Sequence, residues 1–180
     1  MNTKFITIGL FTVLFLSVTV NAQKKRDLIK EINAFKGDVV SNASFDKDFE
    51  EVWDAIYIIA TEEYNTIKRE SESRGYIEAA QETDTYREYM TLEIRGKEAP
   101  YRVSFQVKQE KRSKNQEGGY SNWQTFTSST LRAYYLRLRT RLYEILNGPI
   151  QFSDELAAKL ESYNSKQSKE RKKILKGKDY

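Results

Sequence analysis

Five glutamates hold this chain's best prospect of chemistry. Glu62, Glu63, Glu78, Glu82 and Glu93 stand in or beside stretches where polar and apolar residues alternate, so two of them could meet across neighbouring strands. Two carboxyl groups about 5–9.5 Å apart can share acid, base and nucleophile roles, as in glycoside hydrolysis. The same spacing is also what a solvated sheet face requires, and that is the expectation here. The chain has no His and no Cys, which removes the commonest general base, every thiol nucleophile and nearly all structural zinc sites. The serines and lysines between Ser162 and Lys169 fall in the terminal tail. Gly118-Gly119 lacks the Gly, Lys or Thr that completes a phosphate loop. Asn42-Ala43-Ser44 matches a glycosylation sequon that chance supplies often. These absences predict a non-enzymatic chain with no cofactor and no metal.

Binding has more to work with. At 100° per residue, Arg132 and Arg139 fall on one border of an apolar helical stripe, and Arg137 and Arg141 on the other. Their stems can lie along apolar surface with the charges in water. The sharper reading is recognition of an anionic ligand or partner, with Tyr134 and Tyr143 stacking beside them. Tyr120, Trp123 and Phe126 cluster ahead of that helix and can line a cavity between helix and sheet, although core filling needs bulky residues there too. Near the end, Lys169, Arg171, Lys172, Lys173 and Lys176 form a cationic run suited to an anionic surface.

The elements that must position these residues follow from periodicity. Leu28, Ile32 and Phe35 predict a short helix ending at Lys36-Gly37-Asp38, and Asp38 to Ser44 reads as a first strand. Phe49, Val52, Trp53, Ile56, Ile59 and Ala60 recur at steps of three and four, the mark of a helix with one apolar face. Asp46 is its expected cap. The period then becomes two: Ile77 and Ala79; Met90, Leu92 and Ile94; Tyr101, Val103, Phe105 and Val107. The breaks between these runs are too short for parallel crossovers, which leaves an antiparallel meander. Lys111 to Asn122 is a polar loop. A long helix is predicted from Ser128 to Asn147, stopped by Gly148-Pro149, and a last one from Ser153. Apolar helices flanking a one-faced sheet give an α+β, two-layer fold with helices packed on one face.

The two ends read differently from the middle. Lys4 precedes an apolar run from Phe5 to Val20, too short for the roughly 20 residues of a membrane span. Small residues follow at Val20-Asn21-Ala22, so residues 1–22 read as an export signal with Gln23 starting the mature chain. Residues 23–165 read as one domain and 166–180 as a basic, frayed tail. The net charge of +4 belongs to that tail: from Lys159 onward there are eight basic and three acidic side chains, whereas residues 23–158 carry a small acidic excess.

Phe49-Glu50-Glu51-Val52-Trp53 through Tyr64-Asn65-Thr66-Ile67, followed by Arg74-Gly75-Tyr76-Ile77-Glu78-Ala79, resembles a pattern in small envelope domains of Gram-negative bacteria. It is similar to the helix-grip type of domain found in the accessory lipoprotein of the outer-membrane β-barrel assembly machinery. The resemblance implies a fold and not a role. The lipidated cysteine of that lipoprotein has no counterpart here. The expectation is therefore an exported envelope protein, periplasmic or secreted, that binds another protein or an anionic surface. Peripheral membrane contact is compatible with this, nucleic acid is not, and the oligomeric state stays open. The alternative is a small-molecule or lipid binder with a cavity of ~300 Å³ or more between sheet and long helix.

Overall fold

The computed structural model describes the backbone of residues 4–176 and the side chains of residues 23–169. The elements in chain order are α1 (Lys4–Ser41), α2 (Phe49–Glu63), β1 (Thr66–Ser71), a single 3-10 turn (Glu72–Arg74), β2 (Tyr76–Glu82), β3 (Tyr86–Arg95), β4 (Arg102–Lys111), β5 (Gln124–Phe126), α3 (Leu131–Asn147) and α4 (Asp154–Lys176). The chain divides into two compact units: Gly37–Ile150, and the terminal segments that flank it.

In the central unit the five strands form one antiparallel sheet in the order β1-β2-β3-β4-β5, the expected meander. Across it, Met90 stands beside Ala79 and Val107, and Leu92 beside Ile77 and Phe105. Those residues share a face with α2 and α3, whose Val52, Ile56, Ile59, Leu138 and Leu142 complete the core. Each large aliphatic side chain buried there contributes roughly 1.5–3 kcal/mol. Helices on one face of an antiparallel sheet make the fold α+β.

Two local signals set the frame. Asp48 closes the start of α2, its N–H donating to Glu51 Oε2 at 3.2 Å, so the cap lies two residues beyond the expected Asp46. Gly75, after the 3-10 turn, has φ 59°, and a Cβ built on it would stand 2.7 Å from Ile94 Cβ. Only glycine suits that turn, on both conformation and space.

The expected strand at Asp38–Ser44 is not one. Residues through Ser41 continue α1, with Ser41 Oγ bonded to the Gly37 carbonyl one turn back. Gly37 was read as a stop, but glycine inside a helix costs only about 1 kcal/mol, and the burial of Val40 offsets it. Extended pairing shrinks to Phe45, which exchanges main-chain hydrogen bonds with Tyr101 at 2.7 and 2.9 Å. The structure adds β1 and the three-residue β5 to the runs read from alternation.

In the terminal unit, the Phe35 and Phe152 rings lie 5.7 Å apart, and Lys159 Nζ reaches Glu31 at 2.7 Å and Glu155 at 2.9 Å. Helix α4 runs past Ser165 to Lys176. Among the described residues no helix is long and apolar enough to cross a membrane. The side chains of the expected export signal, and those of Arg171, Lys172, Lys173 and Lys176, lie outside the described residues; Lys169 is exposed.

Candidate functional site

Glu88 breaks the pattern of the strand that carries it. On β3 it is in phase with Met90, Leu92 and Ile94, so the alternation turns its carboxyl group toward the core side, where only 6% of the residue remains exposed. Three neutral donors converge on it. Tyr64 donates its hydroxyl to Oε1 at 2.6 Å, while Tyr86 and Gln109 Nε2 both donate to Oε2 at 2.5 Å. Tyr134 in turn donates to the Tyr64 hydroxyl at 3.0 Å, and the Ser128 N–H donates to Gln109 Oε1 at 3.1 Å.

Each partner is placed by its own element. Tyr64 is the residue at which α2 ends: its N–H still donates to the Ala60 carbonyl, but its backbone is already extended. Gln109 stands directly opposite Glu88 in the β3–β4 register. Tyr134 lies in the first turns of α3. One carboxyl group thus ties together two helices, two strands and the turn before α3.

This cluster floors an open cleft of about 500 Å³ between the end of the sheet and the start of α3. Tyr86, Phe126 and Tyr134 make its aromatic walls, and Arg137 stands at the rim. Arg137 is spoken for: its Nη2 meets Glu63 at 2.6 Å, and its guanidinium sits 5.1 Å from the Tyr134 ring centre. Burial, reinforced by donation to Glu88, raises the Tyr64 and Tyr86 hydroxyls above the ordinary tyrosine value. Burial likewise pushes Tyr134 up to about 12. All three remain neutral donors at physiological pH. Among the described residues Glu88 has no ion-pair partner, and the one cation lining the same cleft, Arg137, is paired with Glu63. A carboxylate offers about four lone-pair positions, and three are taken. The two donors to Oε2, Tyr86 and Gln109, line the cleft together with Glu88 itself.

A second polar cluster occupies the opposite face of the same two strands. Glu110, also nearly buried, accepts from Arg87 Nε at 2.5 Å and from Lys108 Nζ at 2.8 Å. The lysine first, then the arginine, holds its carboxyl below the ordinary range against the opposing effect of burial. Two guanidiniums pack on Trp123, Arg87 at 4.2 Å and Arg112 at 4.4 Å, and Arg112 also lies 4.2 Å from the Tyr120 ring. The Tyr120 hydroxyl meets Asp84 at 3.2 Å. This stack fastens the 112–123 loop down, with two guanidiniums within 4.4 Å of the indole centre.

The residues singled out from sequence therefore part company. Tyr134 and Arg137 line the cleft. Arg141 pairs with Glu62 at 2.7 Å. Arg139 lines a separate recess beside β4, and Arg132 is exposed. Tyr120 and Trp123 belong to the stack; of that aromatic trio only Phe126 reaches the cleft. The five glutamates first considered are each committed elsewhere: Glu62 and Glu63 to arginines, Glu78 to the Tyr76 hydroxyl, Glu82 to Lys68, and Glu93 to Arg95. Glu88 and Gln109 were missed. Their signal was parity: each is polar at a position whose strand neighbours two residues along face the core.

The fold and the cleft define a two-layer α+β domain with a buried acceptor at the open end of its sheet. No family model, curated protein or solved structure matches the chain.

Proposed function

We propose that this protein is a non-enzymatic binding module whose cleft takes a small organic amine. The observation that carries the reading is Glu88: a nearly buried carboxylate, held only by neutral donors, at the floor of a cleft that is open to solvent. Burying a charge without a counter-charge is costly. A ligand that brings its own ammonium to the Glu88 carboxyl group relieves that cost, while its apolar body lies against Phe126, Tyr86 and Tyr134. The cleft also exceeds the ~300 Å³ expected of a ligand site, which moves the small-molecule reading ahead of partner binding. Export, read from residues 1–22, makes the ligand an extracytoplasmic one.

Benzylamine, benzyl alcohol and toluene, titrated calorimetrically into the full chain, separate charge from shape. Benzylamine is expected to bind with a saturable signal, to exceed benzyl alcohol by about tenfold, the effect of one charge-assisted hydrogen bond, and to lose that advantage in E88Q. Equal affinity for all three, or no saturation, would rule the proposal out.

A further inference from the structure

The outer edge of β4 is paired at both ends and open in the middle. At one end Tyr101 exchanges two main-chain hydrogen bonds with Phe45. At the other, Gln109, Glu110 and Lys111 pair with β5. Between them the Val107 N–H donates to the Tyr135 hydroxyl, a side chain of α3, at 2.8 Å. Alternate residues of an antiparallel strand direct their main-chain groups to the same edge. Tyr101, Val107 and Gln109 all face outward, so Val103 and Phe105 do as well. Among the described residues nothing pairs with the groups those two residues present.

That gap is a recess. A pocket of about 100 Å³ lies against it, bounded by Asn42, Phe45, Val103, Phe105, Arg139 and Leu142. Arg139 is one helical turn beyond Tyr135 and so follows it along the β4 edge. Its side chain is partly buried, and among the described residues it makes no ion pair and no side-chain hydrogen bond. Asn42 brings a side-chain amide that is likewise without a partner. The N–H groups of Val103 and Phe105 lie two residues, or about 7 Å, apart along the strand, and Arg139 lines the same recess. Arg102, opposite Arg95 in the register, also borders the recess and adds a second positive charge near it.

We infer that this recess binds a carboxylate, held by the Arg139 guanidinium and an edge N–H of Val103 or Phe105. The volume admits a group of only a few heavy atoms, so the ligand presents an end and not a through-running strand. An extended chain terminus satisfies both features: it offers main-chain groups to the open edge and a charge to the arginine. A free small carboxylate offers the charge alone. The site is separate from the Glu88 cleft and selects the opposite charge.

The full chain, labelled with ¹⁵N, is titrated with sodium acetate against sodium chloride at matched ionic strength, then with N-acetyl-Ala-Ala as free acid and as amide. Acetate is expected to shift the Val103 and Phe105 amides saturably while chloride does not. R139Q is expected to weaken this about tenfold or more, the loss of one charge-assisted hydrogen bond, and R139K to retain part of it with an otherwise unchanged spectrum. If the free-acid dipeptide binds more tightly than acetate and than its amide, the ligand is a chain terminus; equal binding of dipeptide acid and acetate assigns a small carboxylate. No saturable shift, or the same response in R139Q, overturns the inference and leaves Arg139 as a charge guarding a strand edge.

Discussion

Glu88 and Glu110 stand on neighbouring strands and are almost equally hidden, at 6% and 7% exposure, yet they live in opposite chemistry. Glu110 lies on the face away from the helices and has two cations of its own, with Trp123 stacked on one of them. Its carboxyl group is complete. Glu88 lies on the helix side, has three neutral donors and no cation, and opens on a cleft. Burial alone does not mark a site. What distinguishes the two is whether the protein itself supplies the counter-charge, which the proposed ligand would supply at Glu88.

The sharpest way to break this contrast is to remove Glu88. E88A strands three donors around an empty position, and a loss of about 2–3 kcal/mol is expected, read from urea unfolding at neutral pH. A loss under about 0.5 kcal/mol, the size of an ordinary surface change, would mean that water replaces the carboxylate freely and that the network holds nothing together.

Alkali tests the same side. Tyr64, Tyr86 and Tyr134 are all raised above the ordinary tyrosine value of 10.0. The unfolded chain therefore releases those protons first. Above pH 10 stability should fall, by about 1.4 kcal/mol per pH unit for each such group until its folded value is reached. Thermal melts from pH 8 to 11 would show it, and Y64F should flatten the decline. A flat profile in the unmodified protein contradicts the network as drawn.

Acid tests the other side. The lowered value of Glu110 is stabilising above the ordinary carboxyl value of 4.5, and that stability is lost as pH falls through the lowered folded value. E110Q should cost about 1 kcal/mol at pH 7 and converge with the unmodified protein at low pH. If the gap persists at pH 2, shape and not charge explains the effect. The smallest change is expected of R141A, which breaks an exposed pair with Glu62. A loss smaller than that of E110Q in the same unfolding assay is expected of so exposed a pair, and it would set the scale against which the buried glutamates are judged.

The layout of the fold was legible because long periodic stretches advertise their faces. The Val52–Ala60 stripe and the Met90, Leu92, Ile94 alternation could hardly be read otherwise. The errors came where local signals stood in for tertiary ones. Gly37 looked like a helix stop, but nothing in the residues themselves reveals that Val40 is buried. Asp46 is as good a cap by type as Asp48, and only the reach of Glu51 decides between them. β5 holds three residues, Gln124 to Phe126, too few to show a period. The site was the least visible part. Its glutamate was hidden among others that all read as solvent-facing, and Tyr64 reaches it only because α2 ends where it does. Arg139, by contrast, was singled out by helical geometry, although the gap in β4 that gives it a setting depends on pairings no sequence displays.

The tight turn at Gly75 decides more than the route of the chain. Its carbonyl accepts from the Ile94 N–H at 2.8 Å, which fixes how far β3 can slide along β2. A slide of a single position would exchange inside for outside along the whole strand, driving the Arg87 guanidinium among the aliphatic residues and throwing Glu88 out beside Trp123. A hairpin that admits no side chain at its bend thus helps to set which acid confronts the cleft.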